Sequence, residues 1–266
     1  LASEVEAVKR VASDYGQWDD SFEFMATRAE EFVTSNLTVD TFAVNKLEVV
    51  WLVDPDGGVT FGKCYDLATK QERAVPELPA TPWPRAHPLL GTPEARAVAG
   101  FLPTSLGTLV VAARPITKSD GSGAPRGQLV MGRFLTPAMV DGLRKRVRVG
   151  FDVVPVRSDT GVDRSVLDEL RAGVVAPLRE VSLETLEAYR WVRDVRGEPH
   201  LVVRATLGRE ITAQGRAAAA WAAVYGVLVA GGILLALYRF FGRNVVGPVT
   251  ALGGRVREIA GDAERA

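Results

Sequence analysis

The chain has 266 residues, 32 basic and 32 acidic side chains, and a formal net charge of zero. A balanced surface of this kind argues against nucleic acid as a partner. Cys64 is the sole cysteine, so no intrachain disulfide can form, and a buried, small hydrophobic role is expected for it.

Residues 1–34 read as one long helix. Leu1, Val5, Val8, Ala12, Tyr15, Asp19, Phe22, Ala26, Ala29 and Val33 recur at spacings of four and three, and Val11, Trp18, Met25 and Phe32 widen the stripe. Asp19 breaks the pattern. A carboxylate on an apolar face needs hydrogen bonds or a cation. Two readings follow: Gly16 kinks the helix and turns Asp19 to water, or Trp18 and Asp19 face a pocket beneath the helix. Asn36 suits the helix end.

The sheet region spans 47–206. Lys46–Val53 and Val59–Gly62 read as strands around the turn Asp54-Pro55-Asp56-Gly57-Gly58. Asp54 and Asp56 lack the other ligands of a calcium loop and are read as turn residues. Pro76, Pro79, Pro82, Pro84, Pro88 and Pro93 make the next segment a semi-rigid loop over a sheet edge. Thr92 is expected to cap a short helix from Pro93 to about Gly100. Gly107–Ile116 and Arg126–Phe134 are two more strands, joined by the polar loop Thr117–Pro125. Arg114 and Arg133 interrupt apolar strands, either as solvent-facing positions or as ligand-binding groups.

Thr136-Pro137 opens a helix to about Val149. Its Arg144-Lys145-Arg146 run with Arg148 is a solvated face or a contact for lipid head groups or an acidic partner. Phe151–Val156 is a strand. Asp163 caps a helix to Arg171, and Ser182 is expected to cap another to Ala188. Tyr189–Val195 and His200–Thr206 form a hairpin. His87 and His200 have no ligand cluster near them in sequence, so no metal or cofactor is implied, and no catalytic signature is legible.

Ala217–Tyr238 carries no charge and, as a helix, is about 33 Å long, enough for a hydrocarbon core of about 30 Å. Trp221, Tyr225, Tyr238, Phe240 and Phe241 supply aromatic belts. The alternative is a buried helix of a globular fold. Residues 217–241 are therefore expected to cross a membrane. A domain exported ahead of a span needs earlier targeting, so Leu1 is expected to be a cut end. Pro248, then Leu252, Val256 and Ile259, form a Pro-started helix with a coiled-coil seam.

The stretch 242–266 resembles the first helix of a HAMP linker, carried by Pro248, Leu252, Val256, Ile259 and Gly261-Asp262. The front resembles the fourth type of the CHASE sensory family. Trp18-Asp19-Asp20 with Phe22, Asn36, Val53-Asp54-Pro55-Asp56-Gly57 and Tyr65-Asp66 carry that resemblance. Ala113-Arg114-Pro115-Ile116, Gly127 and Met131-Gly132-Arg133 complete it. The resemblance implies an α+β fold, a long N-terminal helix on a Cache- or PAS-like antiparallel sheet. It implies a bacterial membrane receptor, with 1–216 outside and 242–266 in the cytoplasm. Its output would be a cyclic-di-GMP enzyme or a histidine kinase. A small-molecule ligand is expected between sheet and helix, at Trp18, Asp19, Tyr65, Arg114 and Arg133. Signal relay through Pro248, Leu252, Val256 and Ile259 in a homodimer is expected, and a protein-interaction module without a small ligand is the alternative.

Overall fold

The structure, a computed structural model, describes residues 1–90, 97–156, 161–182, 185–208 and 210–241; on the last helix it describes side chains from Trp221 to Leu235, with Leu237, Arg239 and Phe240. Leu1–Arg179 with Glu187–Leu207 form one compact unit, and Glu180–Leu186 with the chain from Gly208 another.

The expected single helix is three, α1 (Ala2–Gly16), α2 (Asp19–Thr27) and α3 (Glu30–Asn36), and a fourth, α4 (Val39–Asn45), follows it. The first break has a local cause. A side chain on Gly16 would meet Arg114 Cβ and Pro115 O at 3.2 Å, so any larger residue would push the helix end from the strand by a few tenths of an ångström. Gln17 then forms a parallel bridge with Thr117, whose N–H donates to Gly16 O at 2.9 Å. At the second break Arg28 turns left-handed, with φ 56°, and its N–H closes on Phe24 O. Thr38 caps α4 by accepting from Thr41 N.

Six strands form the main sheet: β1 (Val49–Val53), β2 (Val59–Asp66), β3 (Gln71–Glu72), β4 (Val98–Thr104), β5 (Gly107–Pro115) and β6 (Gln128–Phe134). Their order is β3-β2-β1-β6-β5-β4, with every neighbouring pair antiparallel. The short helix expected from Pro93 is replaced from Val98 onward by β4; Thr92 and Pro93 lie outside the described residues.

Both faces of this sheet are buried, which is why its strands read as unbroken apolar runs. Val50, Leu52, Val110, Ala112, Leu129 and Met131 pack under the helices with Val8, Ala12, Phe22, Met25 and Phe42. Val49, Trp51, Val53, Leu109, Val111 and Val130 face the other way, onto Val75, Leu78, Trp83 and Leu89 of the proline-rich segment. That segment therefore covers a whole face. Trp83 anchors it: its N–H donates to Gly57 O at 2.8 Å and its Nε1 to Pro79 O at 2.9 Å. Burying each such side chain contributes about 1.5–3 kcal/mol.

The remaining elements are α5 (Pro137–Val147), β7 (Gly150–Pro155), α6 (Arg164–Arg171), β8 (Leu178–Glu180), β9 (Thr185–Arg193) and β10 (Pro199–Gly208). The strands make a second sheet of order β7-β10-β9-β8. The helix expected from Ser182 to Ala188 is instead the start of β9 from Thr185, whose alternating Thr185, Leu186, Glu187 and Tyr189 suit a strand; residues 183–184 lie outside the description. Within the first unit, the hairpin of β9 and β10 meets the main sheet through Val195 N–H to Phe101 O, 2.9 Å, and Thr108 Oγ1 to His200 Nε2, 2.9 Å.

In the second unit, α7 runs from Glu210 to Phe241. Trp221, Tyr225, Leu228, Ile233 and Leu234 are exposed on it. Among the described residues no helix is long and apolar enough to cross a membrane; the described side chains of α7 span less than the Ala217–Tyr238 run. Residues 242–266, with Pro248, Leu252, Val256 and Ile259, lie outside the described residues.

Candidate functional site

The helix face of the sheet carries four of the five expected ligand residues, and it is a packed interface. Trp18 is half-buried, edge-on to Tyr15 at 5.7 Å and tilted against Phe32 at 5.9 Å. Tyr65 on β2 meets Phe42 edge-on at 5.0 Å. The void under α1 and α4 is only about 10 Å³, lined by Tyr15, Phe42, Asn45, Val50 and Met131. Asp19 is exposed: its Oδ1 accepts from Ser119 N–H at 3.0 Å, and its own N–H donates to Ser119 Oγ at 3.3 Å. The helix break thus turns Asp19 away from the apolar face and into a reciprocal bond with the β5–β6 loop.

Arg114 and Arg133 share the helix side of β5 and β6, by register with Ala112 and Met131. Arg114 is half-buried and its Nε has no hydrogen-bond partner. Arg133 donates from NH2 to Glu4 Oε2 at 2.7 Å, while the other carboxylate oxygen accepts from Arg146 of α5 at 2.7 Å. Glu4 is 6% exposed. This triad was missed in the sequence, although Glu4 stands four residues before Val8 on the buried stripe of α1. Asp19 thus bonds Ser119, and Arg133 bonds Glu4.

A larger cavity, about 440 Å³, opens between α5, the ends of β5 and β6, and the second sheet. Leu135, Val140, Val153 and Leu201 give it an apolar lining, and Thr108, Thr136, Arg144, Asp152 and Arg204 supply polar groups. Asp152 on β7 is clipped from both sides: Arg144 NH2 donates to Oδ1 and Arg204 NH2 to Oδ2, each at 2.7 Å. The hydrogen bond from Arg204 is the main reason the Asp152 carboxyl sits below its ordinary pKa; burial opposes this, and the charges of Arg204 and Arg144 assist. Behind Arg204, Tyr189 donates its hydroxyl to Glu187, and burial followed by that bond pushes the phenol up to about 12. A volume of this size with a few convergent polar groups suits a small solute.

Burial, then the nearby Glu48 charge, pushes the Cys64 thiol up to about 11, so it stays protonated. Among the described residues no group of three or more His, Cys, Asp or Glu could hold a metal ion.

The sequence model of the CHASE4 domain matches residues 1–154, more than half of the chain. The chain belongs to the CHASE4 family. It is also 24% identical over 220 residues to the methanogenesis regulatory histidine kinase FilI of Methanothrix harundinacea (strain 6Ac); the match covers 81% of this chain and 24% of that protein. The chain thus spans about a quarter of that relative's length. Among solved structures, it resembles the extracellular domain of vpHK1S-Z8, described as a histidine kinase. The TM-score is 0.51 at 14% identity, over 79% of this chain and 88% of that one. It also resembles a domain described as from a sensory box/GGDEF family protein of Vibrio parahaemolyticus. There the TM-score is 0.49 at 15% identity, over 80% and 92% of the two chains.

The α+β fold with an antiparallel sheet is therefore similar to that of the vpHK1S-Z8 extracellular domain. The CHASE4 match runs from α1 into β7, so it contains the Glu4 triad, Arg144 and Asp152. Leu201 and Arg204, which complete the cavity, come from β10 beyond it.

Proposed function

We propose that this CHASE4 domain is the extracytoplasmic sensing part of a bacterial membrane receptor, and that a small solute binds in the cavity beside Asp152. The observation that carries the reading is that cavity: about 440 Å³, lined by apolar and polar groups together, with the Arg144–Asp152–Arg204 clip on its wall. The uncharged run Ala217–Tyr238 supports a single span, and the resemblance of 242–266 to a HAMP linker supports a cytoplasmic relay through Pro248, Leu252, Val256 and Ile259 in a homodimer. The likeness to a histidine kinase supports that output over a cyclic-di-GMP enzyme. A ligand acts by favouring one of two pre-existing arrangements, to the extent of its differential affinity.

The test is thermal unfolding of the chain in detergent against a panel of small polar solutes. At least one solute raises the melting temperature of the natural chain, and Val154→Trp, which fills the cavity, abolishes the rise. A rise that survives Val154→Trp removes the cavity from the site. Protease added to sealed cells should cut the sheet region; protection there would sink the outward orientation.

A second reading keeps the ligand at Trp18, Asp19, Tyr65, Arg114 and Arg133, under α1 and α2. One observation favours it: the Arg114 Nε is buried without a partner. Under this reading Arg114→Met removes the ligand-induced rise and Val154→Trp leaves it intact.

A further inference from the structure

The register of the second sheet fixes which surface of the first unit lies where its chain leaves. Gly150, the first residue of β7, pairs with Thr206 near the end of β10. The C-terminal turn of α5 and the exit of β10 therefore share one end of this sheet. Val147 is 54% exposed there and Leu207 is 39% exposed. Lys145, Arg146 and Arg148 are exposed around Val147.

The charges at this end are not all free. Arg144 is spent on Asp141, Asp152 and the Phe151 carbonyl. Arg146 shares Glu4 with Arg133. Lys145 and Arg148 form no ion pair among the described residues. They flank an exposed valine, which makes a cationic rim around an apolar point. Past Leu207 the sequence continues with Arg209, Glu210 and Arg216, a net positive stretch, and reaches its uncharged run at Ala217.

We infer that the end of α5, from Lys145 to Arg148, seats on an anionic bilayer surface. Lys145 and Arg148 meet lipid phosphates, and Val147 enters the headgroup layer. The inference rests on the reading that Ala217–Tyr238 crosses the membrane, since only then does a short chain length hold this end near lipid. Exposed lysine and arginine neighbouring a span are attracted to anionic headgroups over about a Debye length, and their stems cover apolar surface. An acidic protein would satisfy the charges but would leave the connection to the uncharged run without a role.

The experiment uses the full chain in nanodiscs of phosphatidylcholine, with or without phosphatidylglycerol. In a Cys64→Ala background, Val147→Cys carries an environment-sensitive fluorophore, and headgroup-nitroxide lipid serves as quencher. Quenching is expected in the anionic discs, weakened by salt. Lys145→Gln with Arg148→Gln should reduce binding about 25-fold, since each basic side chain near an anionic surface contributes a factor of about five. Quenching that is absent, or equal in both disc types and unmoved by the substitutions, overturns the inference; absence with capture of an acidic peptide would assign the patch to a protein. Co-elution of the chain with the discs separately reads the span. If the chain does not enter discs, flotation with phosphatidylglycerol vesicles decides: charge-dependent flotation keeps the lipid contact while the span reading falls, and none overturns both.

Discussion

Glu4, in the first turn of α1, accepts a 2.7 Å hydrogen bond from Arg133 on β6, and both side chains are nearly out of solvent. Its other oxygen takes Arg146 from α5. One carboxylate thus joins the first helix, the central sheet and the helix that lines the cavity. Removing one member of a buried pair leaves the other charge uncompensated, at a cost of about 3–5 kcal/mol. Glu4→Ala should lose stability in that range, and Glu4→Gln less, because its amide oxygen still accepts. Urea unfolding followed by tryptophan fluorescence measures both; a loss below about 1 kcal/mol for Glu4→Ala would show the pair to be no stronger than a surface bridge.

Gly57 sets the height of the proline-rich cover. Its φ is +92°, and a Cβ there would lie 2.2 Å from the Trp83 carbonyl oxygen. Gly57→Ala must both strain the turn and push the cover from the sheet, an effect of about 1–3 kcal/mol from each source. The emission of Trp83, 2% exposed, should shift to the red. Unchanged emission and stability would mean that the cover yields without cost.

His87 makes the same cover sensitive to acid. Its Nδ1 accepts from Leu89 N–H, its Nε2 faces the Glu77 carbonyl, and its ring lies 4.1 Å from Trp83. Burial, the largest cause, lowers its pKa below the ordinary 6.5; the Glu77 carbonyl opposes this and the Arg196 charge adds to it. The folded value is therefore below the unfolded one. The unfolded chain takes up a proton first as pH falls, so stability is full above about 6.5 and declines as pH drops toward the folded value. His87→Gln should flatten that decline in melting temperature. An equal decline in the variant would assign it to other groups.

Asp152 behaves as an ordinary salt-bridged carboxylate by sign. Its pKa is lowered, first by the Arg204 hydrogen bond, so its contribution is present above the unfolded value near 3.8 and is lost as pH falls below it. The side chain is 43% exposed, which holds the contribution to about 1 kcal/mol. Asp152→Asn should cost that much at neutral pH and raise amide exchange along β7, as two guanidinium groups lose their shared anion. No change in exchange would mean that the clip does not fasten α5 to the second sheet.

The strands around Asp54–Gly58 and Gly107–Phe134 were legible because turn residues bracket apolar runs that exceed what a half-exposed strand needs. The caps Thr136 and Asp163 were legible for the same local reason. In the first helix Gly16 and Asn36 were legible as a kink and an end, but the break at Arg28 was not, because arginine carries no breaker signal. Asp19 shows the limit on sites. Its place in the apolar series was visible, but its partner, Ser119, lies a hundred residues on. Glu4 could have been found by extending the stripe of Val8 and Ala12 back by four. The cavity could not, because β7, α5 and β10 meet only through tertiary contacts. Thr185 was misassigned since a Ser and an acidic residue before an apolar run signal a helix cap as readily as a tight turn.

The bridge from Gln17 to Thr117, directly after Gly16, has a mechanical meaning. α1 is not the upper half of a rod that continues through α2; its far end is pinned to the outgoing end of β5. A pull on the start of α1 would reach the central strands at that pin and at the Arg133 carboxylate tie. The first helix is thus fastened to the sheet at two separate points rather than resting on it.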